Sequence, residues 1–330
     1  MYFGHYIREC RKEFNLTQDE LVEALYGDAP GLFRSLDASA LSKWERGVTR
    51  TSHRKMASIL GYFQKCGGRP LPCIRESSPE KVEERFCKAG LHTLLGRAPK
   101  HLVIDLQIDR LETRHFSIIP LRQFERMDEL LEIHQNLHEN LNPSSSRLQL
   151  SRLREWALHP DSLFYVVCYK HTVLGLLFAL RLQTDSFEKI MNFSMERREL
   201  NTNDFAPANE TAGILMLSLF SLDSRVASLL LMRLYAHLIA HQDRISELGV
   251  VTALPEVERL VDRLDLRVHR SRRLEGRTHI AYRNSLNAVL RSRGALQLLF
   301  PRGKCREKGP SPEHPPGDRE DGSSGDTLPD

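Results

Sequence analysis

Apolar positions recur at helical spacing from residue 4 to about residue 64. Within that stretch Thr17-Gln18-Asp19-Glu20 stands directly before an apolar run, the pattern of a capping box. The Thr17 hydroxyl accepts from the Glu20 N–H and the Glu20 carboxylate returns to the Thr17 N–H, so a helix is predicted to start there. Leu21, Leu25 and Val22 supply its inner face, and a preceding helix contributes Ile7 and Phe14 around a turn at Asn15, a residue type that tolerates positive φ. Asp37 caps a further predicted helix, ASALSKWERG, in which Leu41 and Trp44 turn inward while Ala38, Ser39, Ser42 and Lys43 stay outside. Gly47 stops it.

The run CGGRPLPC at 66–73 breaks the periodicity with glycines and prolines. A helix from Pro79 to about Leu95 follows, and Leu102, Ile104, Leu106 and Ile108 alternate as a strand does. From His115 the pattern interleaves strands and helices: FSIIPL, the helical ERMDELLEIHQNLHENL, a helix around Ser151 to Leu158, the strands LFYVVCY and VLGLLFAL, a long polar interval, and the strand GILMLSLFSL. A helix from about Arg225 to His241, the strand LGVVTAL, the helix PEVERLVDRL and two strands near 267–270 and 279–284 complete it. The predicted organisation is an all-α domain over 1–65, a linker with a helix over 66–114, an α/β domain over 115–300 and a disordered tail over 301–330, where proline, glycine and charge leave little to bury.

Composition narrows the class. Apolar residues at 41% and charged residues at 27% suit a globular chain, and no apolar run reaches the ~20 residues of a membrane span. Charges in MYFGHYIRECRKEF occupy the place of a secretory signal's apolar stretch, so a cytoplasmic protein is expected. The cysteines, Cys10, Cys66, Cys73, Cys87, Cys168 and Cys305, lack the paired spacing of a zinc site. A net charge of +4 permits nucleic-acid binding without requiring it.

The segments Ile7-Arg8-Glu9-x-Arg11-Lys12, Leu16-Thr17-Gln18-x-Glu20-Leu21 and Leu41-Ser42-Lys43-Trp44-Glu45-Arg46-Gly47 together resemble the Cro/C1-type (Xre-like) helix-turn-helix family over about 60 residues. The resemblance implies a five-helix domain that binds double-stranded DNA, commonly as a homodimer, with its third helix in the major groove. Gln18 would brace the phosphate backbone or the reading residues. Ala38, Ser39, Ser42 and Lys43 would meet base edges, and Arg46, Arg50, Arg54 and Lys55 would meet phosphates. Arg11 and Glu45 match a buried structural pair. The chain departs from the family in an insertion, GDAPGLFRS at 27–35, and in Thr51 where proline is common. Through Arg34 the insertion could touch DNA, and through Leu32 and Phe33 a dimer partner.

The element order from His115 to Asn284 is similar to the GNAT (Gcn5-related) N-acetyltransferase fold, which implies a mixed central sheet. In that family a turn of the form Arg/Gln-x-x-Gly-x-Gly/Ala cradles the acetyl-CoA pyrophosphate at a helix N-terminus. Here the turn reads Arg225-Val226-Ala227-Ser228-Leu229-Leu230, so Arg225, Ala227 and Ser228 are the candidate cofactor residues and Leu230 would crowd the approach. Val261 stands where the family has its catalytic tyrosine, so no catalytic residue is assigned.

Glu210 and Asp223 read as carboxylates at strand and helix ends. His134/His138 and His237/His241 have a chelating spacing but no third ligand, and exposed helix positions account for them; His237 and His241 close a helix, where cationic imidazole is favoured. Cys168 reads as core, as does the largely apolar helix SLLLMRLYAHLIA. The reading is a DNA-binding transcriptional regulator whose α/β domain senses a small-molecule effector or mediates dimerisation; the alternative is a DNA-associated N-acetyltransferase using acetyl-CoA or a related acyl-CoA.

Overall fold

A computed structural model describes residues 1–74, 78–88, 116–141, 148–274 and 276–300. The predicted strand at 102–108, much of the linker, the side chain of His138 and the tail from 301 lie outside them.

The first 67 residues form α1 (Phe3–Glu13), α2 (Gln18–Asp28), α3 (Pro30–Phe33), α4 (Ala38–Glu45) and α5 (His53–Gly67). Local chemistry sets their ends. Asn15 takes φ 54° between α1 and α2, both bonds of the Thr17–Glu20 capping box are made, Asp37 accepts from the Ala40 N–H at 2.6 Å, and Gly47 at φ 71° turns the chain out of α4. Tyr6, Ile7, Leu21, Leu25, Leu41, Ile59, Leu60 and Phe63 form the centre, each fully buried. The insertion folds as α3 and buries Phe33 in this core, so Phe33 is not offered to a dimer partner.

The C-terminal region is a mixed seven-stranded sheet in the order β1-β2-β3-β4-β5-β7-β6. Its strands are β1 (Phe116–Pro120), β2 (Leu163–Tyr169), β3 (Thr172–Gln183), β4 (Ala212–Ser221), β5 (Ile245–Thr252), β6 (Arg267–Leu274) and β7 (Arg277–Ser285). Among the described residues only the β4–β5 pair is parallel, joined through α10 (Ser224–Ala240). With α6 (Pro79–Lys88), α10 covers one face, over Leu163, Val167, Leu177, Ile214 and Met216. On the other, α7 (Met127–Leu141), α8 (Leu150–Leu158) and α9 (Thr184–Met191) cover Phe164, Val166, Phe178, Leu180 and Leu215. Being buried on both faces, β3 reads as a continuous apolar run. The outer edge, β6, is exposed and carries Arg267, Arg270, Arg272 and Arg273, which discourages edge-to-edge pairing.

Besides α3, sequence periodicity missed α9, within the interval read as polar, and α12 (Leu286–Arg291) and α13 (Arg293–Leu299), which follow the last strand. Each is too short to display several turns of a 3.6-residue repeat. α12 and α13 lie against α5, and one apolar cluster runs from the N-terminal helices into the α10 face of the sheet. Phe300 packs edge-on to Phe3 with ring centres 4.9 Å apart. Gln64 donates to the Asn287 carbonyl at 3.1 Å, and Arg69 pairs with Asp243 through two bonds of 3.0 and 2.8 Å. The buried Gln242 clamps the segment after α5, accepting from Leu71 N–H at 2.7 Å and donating to the Ile74 carbonyl at 2.8 Å.

Candidate functional site

The parallel pair β4–β5 runs only from Ala212↔Ile245 to Met216↔Val250, with a register shift between Ala212 and Gly213. Beyond it β5 continues against β7, and β4 continues against β3 to Ser221. Leu217 is an extra residue at that point, since Phe178 opposes Ser218 while Ala179 opposes Met216. A β-bulge of this kind bends a strand and re-aims its side chains. Among the described residues, 217–221 therefore have no strand partner on the β5 side, and β4 and β5 part from there on.

Side chains of two elements meet where the strands part. Ser218 shares a 2.8 Å hydrogen bond with Nε2 of His134 on α7, and that imidazole lies on the Phe178 ring with centres 4.5 Å apart. His134 is only 6% exposed, so its expected place on an open helix face is corrected: α7 turns it onto the sheet. The bulge is the reason, because it turns Ser218 to the α7 side immediately after Leu217.

The unpaired end of β4 leads into the β4–α10 turn. Asp223 caps α10, accepting from the Arg225 N–H at 2.7 Å, and the Arg225 guanidinium returns to the same carboxylate at 3.0 and 2.9 Å. Burial pushes the Asp223 pKa up, but these bonds outweigh it and hold the group below the usual carboxylate range. Of the candidate cofactor residues, Arg225 alone reaches the surface. Ala227 is buried, and the buried Ser228 hydroxyl donates to the Ser224 carbonyl at 2.8 Å. Leu230 does not crowd the turn, contrary to expectation. It points into the sheet at Gly175 of β3, where an added Cβ would stand 2.7 Å from Val226 and 3.2 Å from Leu230. Val261, on α11 (Glu258–Arg263), is buried in the apolar cluster and offers no proton donor.

The residues expected to touch DNA surround α4. Ser39, Lys43, Arg46, Arg50 and Arg54 are exposed, Ala38 and Ser42 are half-buried, and among the described residues none of those four cations is in an ion pair. Lys55 instead lies over the Trp44 ring at 5.4 Å. Glu45, with a side chain only 4% exposed, accepts from Arg11 at 2.7 and 3.1 Å and from the Gln18 amide at 2.8 Å. Gln18 therefore braces the end of α4.

Of the remaining candidates, Cys168 is buried in β2, and Glu210 is exposed. The His237 and His241 rings lie tilted to each other with centres 4.4 Å apart, but no group of three metal-ligating side chains occurs among the described residues. Neither is the exposed, charged imidazole expected at a helix end. Burial drives the His237 pKa down to about 3 and lowers that of His241 as well. Among the described residues, no helix is long and apolar enough to cross a membrane.

No protein-family model and no curated protein matches the chain. Among solved structures it is similar to Naa50 of Arabidopsis thaliana in complex with the bisubstrate analogue CoA-Ac-MVNAL, at 12% identity and TM-score 0.35, covering 52% of this chain and 99% of that one. It is similar to FeeM, an N-acyl amino acid synthase from uncultured soil microbes, at 7% identity and TM-score 0.38, covering 55% and 95%. The C-terminal condensation domain of Ebony in complex with beta-alanyl-dopamine gives 10% identity and TM-score 0.35, covering 53% and 100%. Likenesses this distant assign no activity to the chain.

Proposed function

We propose that the protein is a DNA-associated N-acyltransferase: the opening between β4 and β5 takes the acyl-CoA, and the α4 surface meets double-stranded DNA. The observation that carries the reading is the parting of β4 from β5 at the Leu217 bulge, with a buried imidazole bonded to Ser218 of β4 and the N-terminus of α10 following the end of that strand. An extended arm bearing amides, as in coenzyme A, can bond to the unpaired edge of β4 as an added strand would. Its phosphates would meet the first turn of α10 and Arg225, once Arg225 turns from Asp223.

The chemistry is the attack of an amine nitrogen on the thioester carbonyl. The C–N bond forms, the C–S bond breaks, and the proton lost by the amine passes through His134 to the departing thiolate. Removing a general base typically costs about 10²–10⁴-fold in rate. His134→Gln is therefore expected to lose kcat while retaining acetyl-CoA binding, read by thiol release with a panel of primary amines and by calorimetry. Failure of the wild-type chain to bind acetyl-CoA would refute the site.

A second reading, a ligand-sensing regulator, is favoured by Val261 and by the Asp223–Arg225 pair that occupies the anion position. Binding without turnover selects it. For DNA, the support is the row of uncompensated cations around a braced α4. Fluorescence anisotropy with duplex libraries tests that part separately, and two half-sites about one helical turn apart would mark a homodimer.

A further inference from the structure

A second cavity, of about 190 Å³, lies at the opposite end of α10 from the acyl-CoA turn, about 25 Å away for 17 residues at ~1.5 Å rise. Its polar lining comes from separate parts of the chain: Arg122 after β1, Asp161 and Ser162 before β2, Arg181 on β3, His237 and His241 at the end of α10, and Arg244 before β5. Two of these bring buried polar atoms that have no protein partner, Ser162 Oγ and His237 Nε2. A third, Arg181, is 5% exposed, and its guanidinium donates only to backbone carbonyls, those of Ala206, Pro207 and Glu210. No carboxylate forms an ion pair with it among the described residues.

A buried cation solvated only by carbonyls, beside orphaned polar atoms, is costly unless something else completes the site. Three arginines face one aspartate here, so what completes it is negative. The volume far exceeds the ~15 Å³ that one water needs and falls short of the ~300–1,000 Å³ of sites for drug-sized ligands. We infer that this cavity binds a small oxyanion, a phosphate or carboxylate of metabolite size, at a site separate from the acyl-CoA opening. Ser162 and the imidazoles supply hydrogen bonds, and Arg122, Arg181 and Arg244 the charge.

The imidazoles make the site responsive to pH. Burial holds both rings low; Arg181 and Arg244 add to it at His241, where Asp161 and Glu80 oppose it, and His241, Arg181 and Arg233 add to it at His237. An arriving anion favours the protonated ring, so binding takes up a proton and tightens as pH falls.

The test uses the full chain, with inorganic phosphate and succinate titrated in separate arms at fixed ionic strength, read by calorimetry and by melting temperature. At least one anion is expected to bind at millimolar concentration or tighter, and the arm that does so identifies its chemistry. The exposed Arg244→Ala should weaken binding by about tenfold or more, the loss of one charge-assisted contact. His241→Asn should flatten the rise in affinity between about pH 8 and pH 6. Arg225→Ala, at the other end of α10, should change neither. Binding lost in Arg225→Ala but kept in Arg244→Ala would move the anion to the acyl-CoA turn and overturn the inference, as would no binding in either arm. Because phosphate and succinate lack a thioester arm, their result is independent of whether acetyl-CoA binds.

Discussion

Replacing Arg11 by Met isolates the brace on which α4 depends. Glu45 holds three hydrogen bonds in a nearly closed site, two of them from Arg11. Removing Arg11 leaves a buried carboxylate with only the Gln18 amide, and breaking a buried pair in this way costs about 3–5 kcal/mol. Replacing both charges removes the stranded anion, so Arg11→Met/Glu45→Met should recover most of the loss. Trp44, adjacent to Glu45, is one of two tryptophans in the chain, and a Trp156→Phe background makes it the sole reporter. In that background Arg11→Met should lower the urea midpoint by about 1 M or more, for slopes of ~1–3 kcal/mol/M. Circular dichroism should follow the same midpoint, because the apolar cluster runs without a break from the N-terminal helices into the sheet. A loss under about 1 kcal/mol, the value of a surface pair, would refute the argument. So would a double variant no better than the sum of the two singles.

Below about pH 6.5 the unfolded chain protonates His237 while the folded chain, with its pKa near 3, does not, so folding stability is present above that pH and is lost on acidification. By pH 5 this one group should remove about 2 kcal/mol, and His237→Gln should flatten that limb in urea titrations across pH; an unchanged profile would show the ring is already charged. Gly175→Ala should destabilise by about 1–3 kcal/mol through contact with Val226 and Leu230, and Leu230→Ala should rescue part of it; strict additivity in a double-mutant cycle would contradict the close approach. In anisotropy titrations Arg50→Ala should weaken every duplex alike and lower the salt slope by about 1, while Ser39→Ala and Lys43→Ala should blunt discrimination by ~1–3 kcal/mol; equal affinity throughout would remove DNA from the proposal.

Much was legible without coordinates wherever the controlling interaction is local. The Thr17 box, the Asp37 cap, the positive φ at Asn15 and the stop at Gly47 each depend on residues a few positions apart, and the order of the strands and longer helices after His115 follows from periodicity. Short helices such as α9 and α12 escaped because their length gives the period too few turns to repeat. Arg181 had one local signal, a lone charge ending an apolar strand run, but its company in the cavity did not.

Sequence by itself determined the strands, the longer helices and many of the residues that cap and core them, since hydrogen bonds to the nearest backbone and the burial of one face act over a turn or two. The tertiary structure alone decided that β4 leaves β5 at Leu217, that His134 bonds to Ser218 across 84 residues, and that Leu230 turns to Gly175 instead of crowding the cofactor turn. It also decided that His237 turns into the cavity at the end of α10, where burial of its ring lowers its pKa. Each depends on which faces stack and which strands part, a matter of long-range packing that no local spacing encodes.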